Sequence, residues 1–127
     1  MPKTVILSLD APKPVSAYSQ AIQSGSLLFL AGQIPLDPVT GQLVTGDMVA
    51  ETDRIIENMR AVLNAAGASL EHVVKTTVYL TNMADFTAFN QAYSRHFVNQ
   101  PPARTTIAVL ALPLGARVEI EAIAALP

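Results

Sequence analysis

A chain of 127 residues without cysteine is long enough for one domain with its own core, and it excludes disulfides, zinc–thiolate centres and thiol nucleophiles. Its formal net charge of −2, with no basic run, argues against a nucleic-acid partner held by phosphate neutralisation, and two histidines, His72 and His96, are too few for a His-rich metal centre. Only 14% of the residues are charged, against roughly 25% in ordinary soluble domains, so part of the apolar surface is expected to be buried between copies in a closed symmetric oligomer.

The first residues, Met1-Pro2-Lys3-Thr4, lack the apolar segment of a signal peptide, and no stretch reaches transmembrane length. A cytoplasmic protein with no membrane partner is expected. Residues 3–9 read as a short first strand, stopped by Pro12 and Pro14, and residues 18–22 as a second. Gly25-Ser26 turns the chain into residues 27–31, apolar on both faces as a central strand should be. Gly32-Gln33-Ile34-Pro35 is expected to end that strand, and Asp37-Pro38 with Thr40-Gly41 marks an irregular loop.

Asp47 suits the N-cap of a first helix in which Val49, Thr52, Ile55, Ile56, Met59, Val62, Leu63 and Ala66 keep helical spacing, with Gly67 at the C′ position. Residues 72–80 form a β-branched strand. Thr81 or Asn82 then caps a second helix carrying Phe86, Phe89, Tyr93 and Phe97 on one stripe. Pro101-Pro102 forces an extended entry into a strand over 104–110. Leu112-Pro113-Leu114-Gly115 turns the chain, and 117–126 form the last strand. The order β-β-β-α-β-α-β-β predicts a single α+β domain over 1–127, a mixed six-stranded sheet with two helices on one face. In the last strand Val118, Ile120, Ala122 and Ala124 fall on the side that packs under the helices, and Arg117, Glu119, Glu121 and Ile123 on the other.

Charges inside strands of so apolar a chain are the candidates for chemistry. Arg104 offers a planar fork for a carboxylate, or it pairs with Glu119 or Glu121 across neighbouring strands. Glu119 is either a general base that holds a water or part of a solvated strand face. Tyr18 either donates a hydrogen bond and walls a pocket or simply packs beside a turn. Gly32 either admits a substrate to the backbone or ends a strand, and Thr105 and Thr106 serve as β-formers with hydroxyls. Both histidines read as structural, His96 suiting the end of a helix dipole.

Taken in order, Ala17-Tyr18-Ser19-Gln20-Ala21, Ala31-Gly32-Gln33-Ile34-Pro35, Asn64-Ala65-Ala66-Gly67-Ala68-Ser69-Leu70, Val74-Lys75-Thr76-Thr77-Val78-Tyr79-Leu80, Pro102-Ala103-Arg104-Thr105-Thr106 and Val118-Glu119-Ile120-Glu121-Ala122-Ile123-Ala124 resemble the RidA/YjgF reactive-intermediate deaminase family. The resemblance implies a chorismate-mutase-like fold and a homotrimer with sites in the clefts between subunits. It also implies hydrolysis of enamines and imines such as 2-aminoacrylate and 2-iminopropionate to 2-keto acids and ammonia, without a cofactor or a metal. On the same resemblance Arg104 would clamp the substrate carboxylate, Glu119 would position water and move protons, and Tyr18 would border the reacting carbon. Backbone near Gly32 and Thr106 would bind the ends of the substrate, and Asn90 would give structural support.

Departures from the family pattern are Ser16-Ala17 before the tyrosine, Ala31 in place of a serine, Thr106 where many members carry cysteine, and Ala108 where many carry glutamate. They bear on substrate and rate more than on fold. Two other readings stay open. One is a small-carboxylate or keto-acid binding or sensor protein with little turnover. The other is a ribonuclease or translation inhibitor, a role attributed to some relatives, which the charge balance disfavours.

Overall fold

The computed structural model describes residues 2–127. The elements follow the expected order: β1 Lys3–Ile6, β2 Ala21–Ser24, β3 Leu27–Gln33, α1 Met48–Ala65, β4 Val73–Leu80, α2 Phe86–His96, β5 Ala103–Ala108 and β6 Val118–Ala125. Short 3-10 turns lie at Leu70–His72, Met83–Asp85 and Pro113–Gly115. The six strands make one mixed sheet in the order β1-β2-β3-β6-β4-β5. Every pairing is antiparallel except β4 with β5, which run parallel and are joined over the sheet by α2, the kind of crossover a parallel pair needs.

Local chemistry sets the long helix. The Asp47 carboxylate accepts the Ala50 N–H at 2.8 Å, a cap worth about 1 kcal/mol. At the other end Gly67 takes φ +76°, and the N–H groups of Gly67 and Ala68 close on the carbonyls of Asn64 and Leu63 at 3.0 and 2.9 Å. Between these ends Ile55, Ile56, Met59, Val62 and Leu63 are buried. They meet Leu28 and Leu30 of β3, Val78 and Leu80 of β4, and Val118, Ile120, Ala122 and Ala124 of β6 in one core. Each large aliphatic side chain fully buried there contributes about 1.5–3 kcal/mol. The aromatic stripe of α2 forms as its spacing predicts, with Phe89–Tyr93 and Tyr93–Phe97 centroids 5.3 and 4.6 Å apart.

Strand limits differ from the pattern-based reading in instructive ways. Tyr18 precedes β2 and sits in a loop, because pairing with β1 and β3 begins only at Ala21. β3 ends at Gln33, within the segment expected to stop it, but it runs through Gly32 after the register with β6 shifts between Leu30 and Gln33. Such a bulge bends a strand and re-aims its side chains. β5 stops at Ala108 rather than running on to 110. Arg117 lies just before β6, and its guanidinium turns to the Glu51 carboxylate of α1 and, at 3.1 Å, the Gly46 carbonyl, so it does not share the face of Glu119.

Both helices cover the same side of the sheet. On the opposite side Leu27 and Phe29 remain 40% and 42% exposed, so among the described residues no layer of helices covers that face.

Candidate functional site

The strands place the charged candidates on two different faces. Thr76 of β4 pairs with both Arg104 of β5 and Ala122 of β6, and Thr76 and Ala122 are buried under the helices. Arg104 therefore projects into the helix layer. Glu119 is three positions from Ala122 along β6, an odd step, and faces the uncovered side. This geometry removes the expected alternative of an Arg104 pair with Glu119 or Glu121 within one chain.

On the uncovered side Glu119 lines a cleft of about 480 Å³ with Tyr18, Gly32, Pro12, Val15 and Leu114. Gly32 also has a role that its sequence context does not suggest. A Cβ built on it would fall 2.8 Å from Cδ of Glu119 and closer still to Oε2. The missing side chain is the seat of the carboxylate. Burial, and then the negative charge of Glu121, hold the Glu119 carboxyl above the usual carboxylate range. Tyr18 is half-exposed, its N–H tied to the Ser16 carbonyl at 2.9 Å.

Residues that pattern reading passed over shape this cleft. Gln20 is 1% exposed, and its amide accepts the Ser8 N–H at 2.6 Å and donates to the carbonyls of Ser8 and Pro12 at 3.1 and 2.9 Å. It fastens the loop that carries Pro12 over the sheet end. Asn58, fully buried on α1, donates to the Leu36 carbonyl at 2.9 Å and so fixes another part of the wall. Buried amides in an apolar segment are the signal that could have found both. Leu114 holds φ +59°, a costly conformation for a bulky residue, in the turn that brings it to the cleft.

On the helix side the Arg104 guanidinium donates to Asn90 Oδ1 at 2.8 Å and stands 4.8 Å from the ring centroid of Tyr93, with Phe86 and Phe89 at 5.5 and 5.8 Å. Cation–π contact and one charge-assisted bond orient the group. Among the described residues no carboxylate is bonded to it. Thr106, two residues on along β5 and paired with Val78, directs its Oγ1 into the same layer, buried and without a hydrogen-bond partner among the described residues. The structure thus brings Tyr18, Gly32 and Glu119 together, and Arg104 and Thr106 together, but not the two groups with each other inside one chain.

The histidines engage in local contacts elsewhere. His72 Nδ1 accepts the Ser69 N–H at 3.0 Å, and His96 joins Asp53 at 2.8 Å and Arg60 at 3.3 Å between the helices. Among the described residues no group of three or more His, Asp or Glu side chains is gathered as a metal site, and no helix is long and apolar enough to cross a membrane.

Comparison with known proteins places this arrangement. The family model described as endoribonuclease L-PSP matches residues 8–126. Protein DfrA of Myxococcus xanthus is 50% identical over 126 residues, covering 98% of this chain and 96% of its own. A mouse protein named 2-iminobutanoate/2-iminopropanoate deaminase is 45% identical over 122 residues, covering 96% and 90%. The crystal structure of TdcF of E. coli with bound serine superposes with a TM-score of 0.91 at 34% identity, covering 98% of this chain and 99% of that one. The chain belongs to the endoribonuclease L-PSP family, the family also called RidA/YjgF.

Proposed function

We propose that the protein is a cytoplasmic, cofactor-independent deaminase that hydrolyses small 2-imino and enamine acids, such as 2-iminopropionate and its tautomer 2-aminoacrylate, to 2-keto acids and ammonia. The observation that carries this reading is the Glu119 carboxyl, seated on Gly32 beside Tyr18 in an open cleft and held above the usual carboxylate range. A carboxyl tuned toward neutrality both accepts and donates protons. The deaminase name of the mouse relative and the serine bound to TdcF support the same class of small carboxylate.

The working unit in this proposal is a homotrimer. The uncovered sheet face is the surface that further copies would bury, and β5 is an edge strand that carries Arg104 at the rim. Arg104 of one copy, pre-oriented by Asn90 and the aromatic stripe, then meets the Glu119 cleft of the next and clamps the substrate carboxylate there. Backbone groups beside Gly32 and Thr106 bind the ends of the substrate, and Tyr18 borders the reacting carbon.

In the reaction a water held by Glu119 gives it a proton as the oxygen bonds to the imine carbon, and the C=N π pair passes to nitrogen, which takes that proton back from Glu119. The amino nitrogen of the resulting carbinolamine takes up a second proton from water, and the C–N bond breaks as Glu119 accepts the hydroxyl proton, the O–H pair forms the keto C=O and nitrogen leaves as ammonia. The imine carbon is already electrophilic, so orientation and proton transfer supply the acceleration.

Subunit complementation tests site and activity together. Arg104→Ala and Glu119→Gln trimers should each lose nearly all acceleration of imine hydrolysis above the buffer rate while remaining assembled. After subunit exchange at equal ratio, about a quarter of the sites regain both groups, and activity should return to that level. Full activity in either single variant removes the role of that residue, and no recovery on mixing removes the shared cleft. Retained keto-acid binding by a wild-type protein that accelerates no imine would support the binding or sensor reading instead.

A further inference from the structure

Glu119 has a partner on its own face that the mechanism above does not use. Glu121 follows two residues later in β6, so both carboxylates leave the strand on the uncovered side. Tyr79 of β4 is the register partner of Glu119, and its phenol reaches diagonally to donate a hydrogen bond to Glu121 Oε1. We propose that Tyr79 and Glu121 form a positioning pair for Glu119: the phenol pins a second carboxylate beside the first, and so sets the surroundings in which Glu119 takes up and returns a proton.

A negative charge held in place beside a half-buried acid favours the protonated form of that acid. The Glu119 carboxyl is raised by burial first and by Glu121 next. The Tyr79 hydroxyl is pushed up to about 12, chiefly by its bond to Glu121, and so stays a donor throughout the neutral range. The other charged and titratable groups leave this relation in place. Lys75 of β4 donates to Thr105 Oγ1 of β5 at 2.7 Å, Tyr18 lies on the cleft wall, and β3 and the turn at Pro113–Gly115 contribute no charge. The phenol thus fixes where the second carboxylate stands relative to the first.

The catalytic meaning of the pair rests on the deaminase reading, whereas the pairing itself belongs to the sheet face and can be read without turnover. The full-length protein has five glutamates, so carboxyl ¹³C NMR of glutamate-labelled material resolves each titration, with Glu119→Gln assigning its signal. In Glu121→Gln the midpoint of Glu119 should shift down. In Tyr79→Phe, where Glu121 loses its tether, the midpoint of Glu119 should also shift down, by less. The pH dependence of kcat on an imine should follow the Glu119 midpoint in each variant. An unmoved Glu119 midpoint in a folded Glu121→Gln protein, or in Tyr79→Phe, would overturn the pair. Moved midpoints in a protein that accelerates no imine would uphold the pair and sink the deaminase reading, while turnover with unmoved midpoints would do the reverse.

Discussion

The two sides of the central sheet handle their charges in opposite ways. On the helix side Arg104 is enclosed by Asn90 and three aromatic rings, with its direction set by packing. On the uncovered side Glu119 and Glu121 stand close together with like charge, one of them pinned by a phenol, and the backbone below is bulged. The first arrangement is a rigid grip, its direction held by one hydrogen bond and the surrounding rings. The second is adjustable, since its neighbours make the charged state of Glu119 costly. A carboxylate clamp needs the former and a proton carrier needs the latter, so one sheet supplies both by facing them apart.

Three substitutions bear on this contrast. The largest effect belongs to Gly32→Ala. The added methyl occupies the seat of the Glu119 carboxyl, which is the free end of a flexible side chain and swings away at little cost to the fold. Turnover should fall by about 100-fold or more, the scale of a lost general acid–base group, with the melting temperature nearly unchanged. Turnover at the wild-type level would mean that the carboxyl does not work from this seat.

A smaller loss is expected on the rigid side. Asn90→Ala removes the hydrogen bond that aims Arg104 but leaves the rings in place. With a hydrogen bond to a charged group worth about 1.5–3 kcal/mol and the cation–π contacts retained, KM for an imino acid should rise by about tenfold with kcat largely kept. A change confined to kcat would show that Asn90 serves something other than the grip. The smallest effect concerns Thr106, whose hydroxyl is buried without a partner among the described residues. Thr106→Val keeps the shape and removes the polar atom, so thermal unfolding should show a gain of about 1 kcal/mol. A loss of stability instead would reveal a bound water satisfying that hydroxyl.

Much of the fold was legible because it follows from short-range rules. The Asp47 cap, the i, i+3, i+4 spacing up to Leu63 and the left-handed Gly67 define α1 without reference to the rest of the chain. The alternation in β6 also assigned its two faces correctly, Val118 to Ala124 inward and Glu119 to Ile123 outward. The bulge in β3 was not legible, since a glycine inside a strand and a glycine ending one look the same until the partner strand is known. Nor was the Arg117 contact, because its partner Glu51 lies 66 residues away on a helix.

By itself, then, the sequence determined the order of elements, the apolar stripe of each helix, the inward face of the last strand and, through its ordered motifs, the family. Those properties depend on local periodicity, capping and residue identity. The tertiary structure alone decided that Arg104 and Glu119 lie on opposite faces, that Gly32 makes room for a carboxylate, and that Tyr79 reaches Glu121. Each of these depends on strand register between segments far apart in the chain, and a shift of one residue would turn every one of those side chains to the other side of the sheet.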